Sequence, residues 1–250
     1  MRNPIQIFPL AGLPEIEPGD DLARLIGDSL TAQNSRLESN DILVVAQKVV
    51  SKAEGRVVHL DTVVPSQRAV DWAKAWDKDS RAVELVLRES KRIVRMERSI
   101  IIAETRHGFV CANAGIDLSN APAGTAILLP LDPDASAAAV KQKLDAAFQT
   151  SIGVIVSDTF GRAWREGLVN VALGVAGLSP LIDYRGDTDA SGKMLHATII
   201  ALADELASAA ELVMGKSDRI PVAIIRGVHA SSLEGSGRDL IRPAEKDLFR

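Results

Sequence analysis

Ile100-Ile101-Ile102-Ala103-Glu104-Thr105-Arg106-His107-Gly108-Phe109-Val110-Cys111-Ala112 is the stretch that decides the fold class. Residues 100–103 and 109–112 are apolar runs, and the segment between them is polar and ends in glycine. That is the pattern of a hairpin joining antiparallel strands. Elsewhere strand and helix patterns alternate, which by itself suggests a parallel sheet wrapped by helices. A hairpin inside that order calls for a mixed sheet, so the chain is expected to be α+β rather than doubly wound.

Upstream of this hairpin, residues 5–8 read as a first strand stopped by Pro9, and Pro18-Gly19-Asp20 marks a turn. Leu22, Leu25, Ile26 and Leu30 then recur at helical spacing behind an acidic helix start, and residues 42–46 read as a buried strand. Two helices are expected at 65–76 and 80–95, the second with Val83, Val86, Leu87 and Ile93 on one face. Downstream, residues 126–129 and 152–156 read as strands. Residues 133–148 read as a helix with Pro133 near its first position and Asp132 or Asp134 near its cap. An Ala-rich helix at 198–214 and a strand at 222–225 complete the series. No repeat and no linker divides the chain, so residues 1–250 are expected to act as one unit, without a legible domain boundary.

Composition narrows the class. Apolar residues at 46% and charged residues at 25% match a soluble globular chain, which excludes disorder and fibrous architectures. The net charge of -4 supplies no global basic field, so nucleic acid is not an expected partner. The single Cys111 fits a reducing compartment, and charges interrupt each apolar run before it could span a membrane. Met1-Arg2-Asn3-Pro4 lacks the apolar stretch of a secretion signal, so a cytoplasmic location is expected.

The densest chemistry lies in Ser157-Asp158-Thr159-Phe160-Gly161-Arg162-Ala163-Trp164-Arg165, read as starting where a buried strand ends. Asp158 and Thr159 offer hard oxygens to a divalent cation, and Arg162 and Arg165 offer planar donors to phosphate or carboxylate. The same pattern fits an exposed loop with an Asx-turn and solvated arginines equally well. Asn113-Ala114-Gly115-Ile116-Asp117-Leu118-Ser119-Asn120 is a second oxygen-rich stretch. There Asp117 could join Asp158 around magnesium or manganese, or Asp117 and Asn120 could simply cap turns. Lys48 and Lys52, four residues apart after a strand, could clamp a polyphosphate or form a solvated basic face. His59, His107, His196 and His229 show no metal-ligand spacing. Ala210-Glu211-Leu212-Val213-Met214-Gly215-Lys216-Ser217 nearly matches a phosphate-binding loop. Here, however, a helix precedes the glycine and a strand follows, the reverse of the required order, so Gly215 reads as a helix C-cap.

Taken together, several motifs make the whole chain resemble the coenzyme F-420-0:γ-glutamyl ligase family. They include Gly12-Leu13-Pro14-Glu15-Ile16, Gln47-Lys48-Val49-Val50-Ser51-Lys52-Ala53-Glu54-Gly55, Glu104 to Gly108, Ala112 to Asn120 and Ser157 to Arg165. Asp183-Tyr184-Arg185-Gly186, Pro221-Val222-Ala223-Ile224-Ile225-Arg226-Gly227 and Asp239-Leu240-Ile241-Arg242-Pro243 complete the set in order. The resemblance implies a ligase that uses GTP to join L-glutamate through a γ-linked amide to coenzyme F-420-0, with extension of the γ-glutamyl tail left open. It further implies manganese or magnesium, room for a monovalent cation such as potassium, and a two-domain, mixed-sheet α+β fold in an intertwined homodimer. Position by position, Asp117, Asp158 and Thr159 match metal ligands. Leu13, Pro14, Glu15, Ile16, Gln47, Lys48, Lys52 and Asn120 match nucleotide contacts, as does the segment holding Met214, Gly215 and Lys216. The family also carries a metal-ligating side chain in that last segment, a role a protonated Lys216 does not fill. Gln47 stands where the family has Ser or Thr, Ala163 where it has Pro, and Leu168 where it has Gln. These departures keep two alternatives open: a γ-glutamyl ligase for another carboxylated cofactor, and a nucleotide-binding homologue without catalysis. No nitroreductase-like segment follows Arg250, so the stand-alone form is expected.

Overall fold

The computed structural model describes residues 4–119, 121–230 and 235–248. Its first half runs β1 (Gln6–Leu10), α1 (Leu22–Ala32), β2 (Ile42–Ala46), α2 (Gln47–Ala53), β3 (Val57–His59), α3 (Gln67–Trp76) and α4 (Ser80–Glu89). There follow β4 (Ser90–Glu97), β5 (Ile100–Thr105), β6 (Val110–Ala112) and β7 (Thr125–Ile127). The second half holds α5 (Pro133–Phe148), β8 (Gly153–Arg162), β9 (Arg165–Ala176), β10 (Ile182–Asp183), β11 (Ile199–Ile200), α6 (Leu202–Met214) and β12 (Val222–Arg226).

Local signals set most helix ends. Asp21, Ser66, Asp79 and Asp132 each cap a helix by accepting a main-chain N–H, and Pro133 opens α5. The main sheet has the order β1-β12-β2-β8-β9, with one parallel pair, β2 with β8, among antiparallel neighbours. It is therefore mixed, as the α+β reading expects. Alternation sends Val154 and Val156 of β8 into a core with Ile26, Leu30 and Leu144 of α1 and α5. Ile155 faces the other way, toward Leu206, Ala207 and Ala210 of α6. Each large aliphatic side chain so buried contributes roughly 1.5–3 kcal/mol. Beside this sheet, α3 and α4 cover the meander β4-β5-β6 through Val83, Val86, Ile101 and Ala103, and β3 pairs with β7.

Several expectations need correction. Pro9 does not stop β1, because β1 is an edge strand with one side free of ladder bonds, where a residue lacking N–H is tolerated. The helix expected at 80–95 ends at Glu89, and Ser90–Glu97 is a strand. Its ladder with β5 skips a residue between Ser90 and Arg92 and again between Ile93 and Arg95. Each skip spaces the half-buried Ser90, Ile93 and Met96 three apart, which imitates a helical face. The third correction concerns β8. It runs past 156 to Arg162, hairpinned on β9, so Ser157 to Arg162 is strand rather than the loop both sequence readings assumed. The Ala-rich helix starts at Leu202, after the short strand β11.

Candidate active site

At the carboxyl end of β2 the parallel partners Ala46 and Ser157 lie side by side, after which β2 turns into α2 while β8 continues. The divergence opens a cavity of about 430 Å³, the position where open sheets place ligands. Leu13, Pro14, Glu15 and Ile16 form one wall, and Gln47, Lys48 and Lys52 of α2 form a second. Asp158 and Thr159 enter from β8, and Met214, Gly215 and Lys216 close the far side at the end of α6. Gly215 caps α6 at φ 59°, its N–H donating to Glu211 O, as the reversed topology predicts.

Asp117 reaches Lys48, a residue of the cavity wall, across a left-handed turn. Asn113, Ala114 and Gly115 all have positive φ, a conformation costly for the two non-glycines and frequent at functional sites. The main chain of Asp117 is then pinned by two hydrogen bonds with Ile127. Its Oδ1 accepts the Ser119 amide and hydroxyl, the turn cap of the bland reading, while Oδ2 meets Lys48 Nζ at 2.6 Å. Burial acts to raise this carboxyl's pKa, but the bonds from Lys48 and Ser119 outweigh it and hold it at about 2. Asp158 behaves oppositely. Burial lifts its pKa to about 6, opposed by the hydrogen bond from the Thr159 amide and by Lys48, and reinforced by the charge of Asp117. The two carboxyls and Lys48 thus form one electrostatic unit. Asp158's charge also adds to the burial that pushes the Cys111 thiol up to about 12, leaving that thiol inert.

The strand pleat turns Thr159 to the opposite face from Asp158. Thr159 Oγ1 donates to Asn170 Oδ1 at 2.7 Å and accepts from Lys216 Nζ. Asn170 Nδ2 donates to Glu211 Oε2 at 2.9 Å, and Glu211 Oε1 lies 3.3 Å from Lys216 Nζ. On the other wall, Lys52 pairs with Glu15.

Residues 12–227 match the sequence profile of the F420-0:Gamma-glutamyl ligase family. The chain belongs to this family. It is 47% identical to the coenzyme F420:L-glutamate ligase of Methanothermobacter thermautotrophicus, over 98% of this chain and 99% of that one. The enzyme of the same name from Methanopyrus kandleri is also 47% identical, over 98% of each chain. The one from Archaeoglobus fulgidus is 39% identical, over 98% and 96%.

Not all the site residues expected of this γ-glutamyl ligase family member converge. Arg162 and Arg165 sit at the exposed tip of the β8–β9 hairpin, outside the cavity wall, and Arg162 turns back onto the carbonyls of Glu166 and Gly167. Gln47 lies at the wall but is buried, its side-chain amide turned to donate to Ser51 Oγ and to Leu128 O. Asn120 lies outside the described residues. Four polar wall residues had no role assigned in the sequence reading: Ser157, Asn170, Glu211 and Arg219. Arg219 falls inside the 214–221 segment flagged by resemblance. Asn170 carried no signal, since no strand was read at 165–176, and Glu211 was quoted only as part of the near-match to a phosphate-binding loop.

The residues present fit the divalent ion the family implies. Asp117 and Asp158 supply hard oxygens, whereas the Thr159 hydroxyl, the third expected ligand, is taken by Asn170 and Lys216. Ser157 Oγ is a buried hydroxyl without a protein hydrogen-bond partner on the same wall. Among the described residues no cluster of three or more His, Cys, Asp or Glu side chains could hold a metal. Also among the described residues, no helix is long and apolar enough to cross a membrane.

Proposed function

We propose that this chain is a coenzyme F420:L-glutamate ligase, joining L-glutamate to F420-0 by an amide bond driven by GTP. The observation that carries the reading is that Lys48 and Asp158, from α2 and β8, line one cavity while Asp117 of the 113–119 turn pairs with Lys48 and its charge acts on Asp158.

A carboxylate does not accept an amine until its oxygen is made a leaving group. In the proposed reaction the acceptor's carboxylate attacks the γ-phosphorus of GTP, forming an acyl phosphate and releasing GDP. The glutamate amine then attacks the acyl carbon, the C–O bond to phosphate breaks, and the amine's proton is lost as inorganic phosphate departs. Lys48 and Lys52 from α2, and Lys216 and Arg219 from beyond α6, surround the cavity with positive charge for the triphosphate. Each lysine is held by a carboxylate or hydroxyl when no phosphate is present, so its position is set before the nucleotide arrives. Asp117 and Asp158 would hold magnesium or manganese, which when bound neutralises phosphate charge and aligns in-line transfer. Potassium as an additional monovalent ion belongs to the same proposal.

The departures at Gln47 and Leu168 bear little on acceptor choice. Gln47's amide faces the protein interior, and Leu168 is exposed on β9 outside the cavity wall. A homodimer is part of the proposal, supported by exposed apolar side chains at the hairpin, Trp164 at 81% and Leu168 at 66%. Purified protein given GTP, manganese, L-glutamate and F420-0 is expected to release GDP and to add one glutamyl unit to the acceptor, read by mass spectrometry. GTP binding without GDP release under those conditions would instead make the chain a nucleotide-binding homologue.

A further inference from the structure

The Thr159 side of the cavity is already occupied by a cation, and that cation is covalently part of the chain. The orientation of the network around it is determined step by step. Glu211 can only accept hydrogen bonds, so the Asn170 atom 2.9 Å from Glu211 Oε2 must be its NH₂ group. Asn170 therefore presents its carbonyl oxygen to Thr159, and the Thr159 hydroxyl must donate to it. The remaining lone pairs of Thr159 Oγ1 face away from Asn170. One of them takes the Lys216 ammonium, which Glu211 Oε1 steadies from 3.3 Å. The capped end of α6 at Gly215 delivers Lys216 to this spot directly after the helix stops.

We propose that Lys216 is a tethered substitute for a second metal ion, so that this protein binds its nucleotide with one divalent cation, on the Asp117–Asp158 side, rather than with two. The inference rests on the nucleotide reading of the cavity given above. Charge supports it. In the Thr159 network the carboxylate is that of Glu211, already offset by the Lys216 ammonium 3.3 Å away, whereas Asp117 and Asp158 face Lys48 on the other side. One divalent ion suits that balance. A second, placed beside Thr159, would meet the lysine's positive charge at contact distance, with no further carboxylate to offset it. Asn170 and Glu211 are positioning residues in this scheme. They fix Thr159 as an acceptor toward Lys216 and hold the ammonium over the cavity.

The test is a count of bound Mn²⁺. Full-length protein saturated with GDP is titrated with Mn²⁺, free ion is followed by electron paramagnetic resonance, and GDP binding is measured separately by calorimetry. One tight Mn²⁺ per chain is expected in the natural protein. Lys216→Gln, which replaces the ammonium with a neutral oxygen donor, is expected to bind two. Two tight ions in the natural protein, with GDP bound, would overturn the inference while leaving the nucleotide reading intact. A folded Lys216→Gln that retains GDP and still binds one ion would overturn it as well. Failure of the natural protein to bind GDP at all would overturn the nucleotide reading and the inference together. The count on the natural protein needs no variant, so a misfolded Lys216→Gln leaves the inference open to refutation.

Discussion

Replacing Asp158 by asparagine should stabilise the metal-free protein while destroying its ability to be stabilised by metal and nucleotide. The folded carboxyl has its pKa lifted from 3.8 to about 6, chiefly by burial. A folded pKa above the unfolded value means that the folded state binds more protons between those two limits. Stability is therefore lost as pH rises from about 4 to about 6, and the deficit persists at neutral pH. A shift of about two units corresponds to roughly 3 kcal/mol. The amide in Asp158→Asn must still find hydrogen bonds at the cavity wall, which reduces the expected gain to about 2 kcal/mol. Urea unfolding of both proteins in chelator reads it out: the variant should lead by about 2 kcal/mol at pH 7, with the lead nearly closed at pH 4. Adding Mn²⁺ and GDP at about a hundred times their Kd should return roughly 2.7 kcal/mol to the natural protein and little to the variant. GTP turnover should vanish in Asp158→Asn. A variant less stable than the natural protein at pH 7 in chelator, or a gap unchanged between pH 7 and pH 4, would refute the reasoning. Either outcome would mean that the carboxylate is not held at an energetic disadvantage for the sake of the site.

Further outcomes follow from named contacts. Lys48→Met removes a charge-assisted phosphate donor from α2 and should raise the Kd for GDP roughly 10–100-fold, measured by calorimetry, with the far-ultraviolet circular dichroism unchanged. Glu84 has its pKa pulled from 4.5 to about 2 by the Ser66 hydroxyl and amide and by Arg88. Its stabilisation is present above about pH 4.5 and fades as pH falls through about 2. Glu84→Gln should therefore cost about 2 kcal/mol in urea at pH 7, discounted for nearby solvent, and far less near pH 2. At Gly174 a Cβ would come within 2.1 Å of the Pro133 carbonyl oxygen, where α5 starts against β9. Gly174→Ala should cost about 3 kcal/mol, visible as a lowered urea midpoint.

The fold was legible where one residue's pattern answered to one cause. Asp132-Pro133 announced the start of α5, and the strand at 42–46 announced itself by unbroken burial, because cap chemistry and buried parallel strands write themselves locally. It was illegible where tertiary pairing changed the local period. The two skips in β4 convert a strand's alternation into spacing by threes, and no property of Ile93 or Met96 alone distinguishes that from a helix. Strand β9 was missed for a related reason. Its outer half, Arg165–Val169, is largely exposed, opens on two charged residues and a glycine, and shows no alternation, so only its pairing with β8 makes it a strand.

The site was legible in its acids and lysines and illegible in what orients them. Lys48, Asp117 and Asp158 have chemistry distinctive enough to be singled out one at a time, and the fold needed only to bring them together. Asn170 and Glu211 are unremarkable residue types whose significance exists only in the direction of their hydrogen bonds: Glu211 decides which way Asn170's amide points, and Asn170 decides whether Thr159 offers a proton or a lone pair. Whether the Thr159 oxygen meets a phosphate or a cation is therefore settled two residues away from Thr159 in the network, and 52 positions away in the chain where Glu211 stands. A hydroxyl next to a carboxylate in sequence announces a metal-binding potential. Its polarity toward the cavity is a property of the assembled wall, which is why Lys216, read from sequence as a poor metal ligand, becomes intelligible only beside Glu211 as a cation in its own right.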